Sequence, residues 1–401
     1  MRIAALVLFL AACSTTPPEE RARELARRFV ILDGHIDVPY RLHEQKAEGK
    51  TVDDVGEATS GGNFDWPRAV AGGLDAPFFS IYTPAEDEEK GTSKAEADGL
   101  IDLCEALLAA HPDRFELART AADVRRIAGA RKIALLYGME NGSPLAGSLA
   151  NLEHFQRRGV RYITLCHGKD NALCDSSYDT RHTHGGLSAF GYEVVERMNE
   201  LGVLIDVSHL SDDSFWDVLA ATRAPVIASH SSLRHFVPGF ERDMSDEMVV
   251  ALGKNGGVVQ INFGSSFLTR TANEYDAVRR KAVEEFAAAH GGPDSPDSKG
   301  FAEQYLREHP YPHAAVSDVA DHIDRVVALA GVDHVGFGSD FDGVGDSLPV
   351  GLEDVSKYPN LIAELLRRGY SERDLRKICG ENVLRVLERA EAVAHDLSRA
   401  R

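Results

Sequence analysis

The chain has 401 residues and carries 63 Asp and Glu against 44 Lys and Arg, a formal net charge of −19. It has no Lys/Arg cluster and no basic stripe interleaved with aromatics, which argues against nucleic acid as a partner. The acidity signals solubility, although clustered carboxylates also favour divalent cations, and the five Cys form no CxxC pair, so a Cys-ligated zinc site is not supported.

The chain opens on Met1-Arg2 and an apolar run, Ile3 to Ala12, too short to span a bilayer as a folded helix. Leu10-Ala11-Ala12-Cys13 has the form of a bacterial lipoprotein signal. The expectation is export, cleavage before Cys13 and lipidation there. Several acyl chains would then anchor the protein stably to a membrane facing the periplasm. Ser14 rather than Asp beside Cys13 favours the outer membrane. The organisation expected is a signal peptide over 1–12, a lipid anchor and polar tether over 13–24, and a barrel domain over 25–401.

Strand-like apolar runs follow at Phe29–Ile36, Phe78–Tyr82, Ile133–Met139, Arg161–Cys166, Val203–Val207, Val226–Ser229, Val258–Asn262 and Val335–Gly338. Amphipathic stretches separate them: Lys94–His111, Ala146–Arg158, Ser188–Leu201, Ser211–Ala221 and Asp318–Ala330. Alternating β and α elements imply a parallel sheet with right-handed crossovers. Eight such units predict an α/β fold, a (β/α)8 TIM-like barrel. An open doubly wound sheet is the competing arrangement, but no GxGxxG follows the first run. Two stretches break the rhythm. Glu44–Gly73 reads as a long excursion after the first strand. Ser265–Ala315 reads as an insertion after the seventh, with a helical piece at Ala277–Ala289 and a second beyond Gly291-Gly292-Pro293, placed to act as a lid or wall over the strand ends. The tail from Ser371 to Leu387 reads as a closing helix with Ser371 as its N-cap. Export would permit a Cys166–Cys174 disulfide; buried free thiols fit the sequence equally.

Metal-type residues stand where the runs end. In a strand, positions two apart face the same side, so His35 and Asp37 share a direction. Glu140 ends the third run, and a buried carboxylate is costly unless paired or metal-bound. His209 and His230 end consecutive runs in near-parallel phrases, and neutral imidazole is the commonest ligand for zinc-like metals. A barrel gathers the C-terminal ends of its strands at one face, so these residues should converge into a binuclear metal site. His182 and His184 follow a long loop and read as residues near an entrance, while His154, His235 and His322 read as helix or loop surface.

Taken together, Asp33-Gly34-His35-Ile36-Asp37, Gly138-Met139-Glu140-Asn141, Asp206-Val207-Ser208-His209, Ser229-His230-Ser231, Gly338-Ser339-Asp340-Phe341-Asp342-Gly343 and Gly380-Glu381-Asn382-Val383-Leu384-Arg385 resemble the membrane (renal) dipeptidase family, peptidase family M19. The resemblance runs in order through nearly all of the mature chain. It implies two Zn2+ ions, although other divalent metals suit such ligands. His35 and Asp37 would hold one ion, His209 and His230 the other, and Glu140 would bridge them. It implies that His167 polarises the scissile carbonyl, that Asp340 is the general acid/base, and that Arg242 holds the substrate carboxylate. At this last point the chain reads Arg242-Asp243 where many relatives read Arg-Asn. The implied reaction is hydrolysis of L-Xaa-L-Xaa dipeptides, with L-Xaa-D-Xaa open, through a hydroxide between the metals. A homodimer is compatible with the resemblance. Two alternatives remain: a binuclear amidohydrolase acting on N-acyl amino acids, lactams or phosphoesters, and an anchored peptide-binding lipoprotein without catalysis.

Overall fold

A computed structural model describes residues 16–293 and 295–400. Nine strands form: β1 (Ile31–Ile36), β2 (Leu74–Tyr82), β3 (Phe115–Leu117), β4 (Ile133–Glu140), β5 (Val160–Thr164), β6 (Leu204–Asp206), β7 (Ile227–Ala228), β8 (Val258–Ile261) and β9 (Val335–Phe337). Their order is β2-β1-β9-β8-β7-β6-β5-β4-β3, and β4 also pairs with β2. That pairing closes eight parallel strands into a barrel and excludes the open sheet. The short β3 was not anticipated. It lies outside the ring and pairs only with the N-terminal end of β4, Phe115 opposite Ile133. β2 also begins earlier than expected, because Pro77 lies inside it, opposite Asp33 of β1.

The helices between strands follow the amphipathic stretches. Ser188, Ser211 and Ser371 each accept a hydrogen bond from a backbone N–H of the turn that follows, and so cap helices that begin at Ala189, Asp212 and Glu372. The tail continues past its expected end as the helix Asn382–Arg399. The excursion after β1 is partly helical: Val38–Ala47 runs into it and Trp66–Gly72 closes it. The insertion after β8 comprises the helices Ser265–Leu268, Arg270–Ala289 and Pro296–Glu308.

Residues 1–15, with the expected signal peptide and Cys13, lie outside the described residues. The tether expected over 13–24 needs correction where it can be followed. Pro18–Ala26 is a helix with Pro at its first position, where its fixed φ suits helix entry. Ala22, Leu25 and Ala26 are buried, and the helix packs on Tyr358–Arg367. Among the described residues no helix is long and apolar enough to cross a membrane. Cys166 and Cys174, left open between disulfide and thiol, are both buried free thiols, as are Cys104 and Cys379.

The barrel interior changes character along its axis. Alternate residues of each strand face inward. Leu32, Phe78, Leu136, Tyr162, Leu204, Ile227 and Val258 form one buried cluster with Val383, Leu384 and Leu387 of the tail helix. That helix plugs the N-terminal end. Further along the same inward rows come Ser80, Glu140, Thr164, Asp206, Ser229, Gln260 and Asn262, all buried and polar. The apolar half supplies the core. The polar half is the wall of the site.

Candidate metal centre

Several strands end in abrupt turns that lift functional side chains into the barrel mouth. His209 and Asp340 have φ of 69° and 61°, and Asn141, directly after Glu140, has φ of 77°. Left-handed backbone is strained for non-Gly residues, and such strain concentrates at functional sites.

The expected ligands come together. Three sets of side chains each bring their ligand atoms within 4.8 Å of one another: His35, Glu140 and His230; Glu140, His167 and His209; His35, Asp37 and Asp340. Glu140 is common to two sets, and its oxygens face different partners. Oε2 lies 3.3 Å from His35 Nε2, which is itself 3.3 Å from Asp37 Oδ2. Oε1 lies 3.0 Å from His209 Nε2, 3.2 Å from His230 Nε2 and 3.7 Å from His167 Nε2.

Residues that sequence reasoning missed hold these rings in place. His35 Nδ1 lies 2.7 Å from the Tyr162 hydroxyl. Tyr162 fits because residue 138 is glycine; a Cβ there would run into its ring. Asp206 accepts hydrogen bonds from Ser229 Oγ at 2.6 Å and Thr164 Oγ1 at 2.5 Å. Ser229 Oγ thereby presents a lone pair to His230 Nδ1, 2.7 Å away. A proton on His230 Nδ1 leaves Nε2 as an electron-pair donor, the arrangement in which an outer hydrogen bond fixes the tautomer of a ligating His. Asp33 joins β1 to β9. It accepts from the N–H groups of His35 and Ser339, both at 3.0 Å, and from the Tyr358 hydroxyl at 2.5 Å.

The donor set suits a divalent cation. His209 Nε2 and His230 Nε2 approach to 2.9 Å, and both face Glu140 Oε1. His35 Nε2 and His209 Nδ1 are buried without a hydrogen-bond partner. Buried polar nitrogens rarely stay unsatisfied. Burial holds the His209 and His230 imidazoles well below their ordinary pKa, with Arg242 beside His209 and His35 beside His230 adding to the effect. They are neutral, the form that ligates metal. Burial also opposes a charge on His35, but Tyr162, Glu140 and Asp37 outweigh it and raise that imidazole well above its usual value. Burial likewise opposes a charge on Glu140, yet the neighbouring His35 and His167 hold the carboxyl well below the carboxylate range. The pocket is thus built for positive charge among fixed carboxylates.

Around this cluster lie the other residues singled out from sequence. Asp340 Oδ2 accepts from Asn262 Nδ2 at 2.8 Å, and its N–H donates to His35 O at 3.0 Å. Burial, then the charge of Asp37, pushes its carboxyl up to about 7. His167 stands with its ring against Tyr82, centroids 4.7 Å apart, and burial lowers its pKa. Arg242 is buried. It donates from one terminal nitrogen to Ser231 Oγ at 2.7 Å and from the other to His230 O at 2.8 Å, beneath the Phe267 ring. Its Nε has no partner. It is not a surface ion pair: Asp246 pairs with Arg325, and the oxygens of buried Asp243 have no hydrogen-bond partner. His182 and His184 are exposed loop residues, and His184 Nε2 lies 2.8 Å from Asn171 O. His235 is exposed and His154 half-buried, but His322 is not a surface residue. It is fully buried and accepts the Leu233 N–H at Nδ1, while Nε2 lies 3.1 Å from Leu268 O. It ties the loop after β7 to the start of the insertion.

A cavity of about 1000 Å³ opens above the cluster. Asp37, Glu140, His167, His209, His230 and Asp340 line it on the barrel side. The insertion contributes Phe267, Arg279, Leu306 and Tyr311 to the lining, so it forms a wall of the site.

A closed (β/α)8 barrel with imidazoles and carboxylates clustered at its C-terminal strand ends defines a metal-dependent hydrolase. The membrane dipeptidase family (peptidase family M19) matches residues 19–401. The chain belongs to that family and is a metallo-dipeptidase. It is 36% identical over 371 residues to the dipeptidase tcpJ of Claviceps purpurea, covering 90% of this chain and 77% of that protein. Its fold resembles the crystal structure of the probable dipeptidase PvdM from Pseudomonas aeruginosa, with a TM-score of 0.79, 29% identity, and coverage of 94% of this chain and 99% of that one. It also resembles a metallo peptidase from Rhodobacter sphaeroides liganded with a phosphinate mimic of the dipeptide L-Ala-D-Ala, with a TM-score of 0.73, 25% identity, and coverage of 90% and 99%.

Proposed function

We propose that the chain is a two-zinc dipeptidase that hydrolyses L-Xaa-L-Xaa and L-Xaa-D-Xaa dipeptides. The observation that carries this reading is the division of Glu140, one oxygen toward His35 and the other toward His209 and His230. His35 and Asp37 would hold one ion, His209 and His230 the second, and Glu140 both. Divalent ions so paired acidify water and act as Lewis acids toward a carbonyl.

The chain's own residues supply the remaining roles. Asn262 fixes Asp340 Oδ2, leaving Oδ1 to take a proton from the attacking water and return it to the leaving amine. A carboxyl near neutrality can do both. His167, kept neutral by burial, offers an N–H to the carbonyl oxygen as charge develops there. Arg242, buried against Phe267 of the cavity wall with its Nε unpartnered, would hold the α-carboxylate, a charge-assisted contact that favours short substrates with a free C-terminus. Lipid on Cys13 would hold this barrel at the periplasmic face of the outer membrane, with Pro18–Ala26 as the first helix among the described residues.

Metal content beside turnover, on the chain from Ser14 onward, tests the reading. The panel is L,L and L,D dipeptides, with tripeptides and N-acyl amino acids as controls. Two zinc per chain and turnover confined to dipeptides is the expected result. Turnover of N-acyl substrates or lactams alone would move the function to another amidohydrolase class. No metal uptake and no turnover after zinc reconstitution would leave a binding protein.

A further inference from the structure

The insertion wall carries a cation that nothing in the fold uses. Arg279 lies on the helix Arg270–Ala289, is half-buried and lines the cavity. Its Nε is buried without a hydrogen-bond partner, and among the described residues no carboxylate lies within ion-pair distance of its guanidinium. The natural partner would be Asp276, one turn earlier on the same helix. That carboxylate instead accepts the Tyr311 hydroxyl at 3.1 Å. Arg279 is the one Arg or Lys among the described residues lining the cavity. The same lining is rich in acids, including Glu44, Asp276, Asp342 and Asp346.

Two physical consequences follow. A guanidinium with a buried, unsatisfied N–H costs free energy that a bound anion would recover. A cavity lined by carboxylates repels an anionic side chain unless one wall supplies a countercharge, and Arg279 is that countercharge. Its planar fork matches a carboxylate bidentately. In the reading above the α-carboxylate falls to Arg242, which lies behind Phe267 of the cavity wall. We propose that Arg279 receives the side-chain carboxylate of the substrate, so that the enzyme favours dipeptides containing Asp or Glu over their Asn and Gln counterparts. This rests on the dipeptidase reading above.

The test compares kcat/KM for Ala-Glu with Ala-Gln, and Glu-Ala with Gln-Ala, in the zinc-loaded wild type and in Arg279→Gln and Arg279→Lys. One acidic member of these pairs should be preferred by about 10- to 100-fold, the size of a charge-assisted contact. Arg279→Gln should bring that ratio close to one while neutral dipeptides change less than about threefold, and Arg279→Lys should retain part of the preference. Binding of phosphinate analogues carrying Glu or Gln side chains should show the same ratio without turnover. Equal loss on acidic and neutral substrates, or a ratio untouched by Arg279→Gln, would overturn the assignment. A zinc-loaded wild type that turns over no dipeptide, acidic or neutral, would overturn the dipeptidase reading, and this proposal with it.

Discussion

Tyr162→Phe isolates one hydrogen bond beneath one proposed metal ligand. The hydroxyl stands 2.7 Å from His35 Nδ1, and the ring packs on Phe78 with centroids 4.9 Å apart. Phenylalanine keeps that packing and removes only the oxygen. The cost is a buried imidazole nitrogen left without a partner, about 1–3 kcal/mol. At 1.4 kcal/mol per tenfold, this is a loss of about 5- to 150-fold in affinity for the ion that His35 and Asp37 are proposed to hold. Outer hydrogen-bond partners of metal ligands typically contribute about 10- to 100-fold, which brackets the same range. The assay is chelator competition on the zinc-loaded protein, resolving the loss of each ion. One ion should leave earlier in Tyr162→Phe, while the one held by His209 and His230 keeps its wild-type profile. Ser229→Ala, which strips the contact to His230 Nδ1, should produce the converse. Activity at saturating zinc should largely return in both. If the chelator profile of Tyr162→Phe superimposes on that of the wild type, the hydroxyl does not support the ligand and the reasoning fails.

Asp75 gives a pH dependence away from the metal centre. Burial pushes its carboxyl up to about 7, with the Ile31 N–H and Arg131 opposing. Between the unfolded value and about 7 the folded state therefore binds a proton that the unfolded state releases, so stability falls as pH rises through that window, by at most about 4 kcal/mol. Asp75→Asn should melt higher than wild type at pH 8 and alike near pH 4; a constant difference across this range would count against the burial argument. Gly138→Ala should cost about 1–3 kcal/mol, because the new Cβ meets the Tyr162 ring. It should also weaken zinc retention, and an unchanged Tm would show that Tyr162 can move aside. Cys13→Ala should shift the full-length chain from the membrane fraction to the soluble periplasmic fraction; continued membrane partition would refute lipidation at that residue.

The cluster of candidate ligands was legible because a barrel turns a sequence regularity into a spatial one. His35, Glu140, His209 and His230 each end an apolar run, and the fold brings those ends together whatever their separation in sequence. Their supports were not legible, because nothing local distinguishes them. Tyr162 reads as one more core aromatic, and Asp206 stands beside the stronger signal of His209. The inward row offered the missing clue: in β5 and β6, Tyr162 with Thr164 and Leu204 with Asp206 share a face that changes from bulky to polar toward the strand's end. His322 was misread because Asp321 and Asp324 flank it on a helix whose buried face runs through Val319, Ile323 and Val326. Only tertiary packing shows that the imidazole turns inward with them. β3 was missed because three residues carry no readable period.

The polarity gradient inside the barrel explains why such a charged cluster can coexist with a closed core. The half plugged by Val383, Leu384 and Leu387 is dry and apolar, and fixes the strands by packing. The half at the mouth places donors and acceptors on the same strands, a residue or two further along. Two of the imidazoles are therefore held twice, once by a strand anchored in the apolar half and once by a hydrogen bond at Nδ1: His35 from Tyr162 on β5, across the barrel, and His230 from Ser229, the residue before it, which is itself bonded to Asp206 of β6. The insertion is anchored differently. Its beginning is pinned to the barrel through His322, but Arg270–Ala289 buries only Ala272 and Ala287. Few buried contacts mean a lower local opening energy. Metal retention should then depend on the barrel and substrate choice on the insertion wall, so substitutions at Arg279 should change specificity ratios without releasing zinc, whereas Tyr162→Phe should release zinc without changing those ratios.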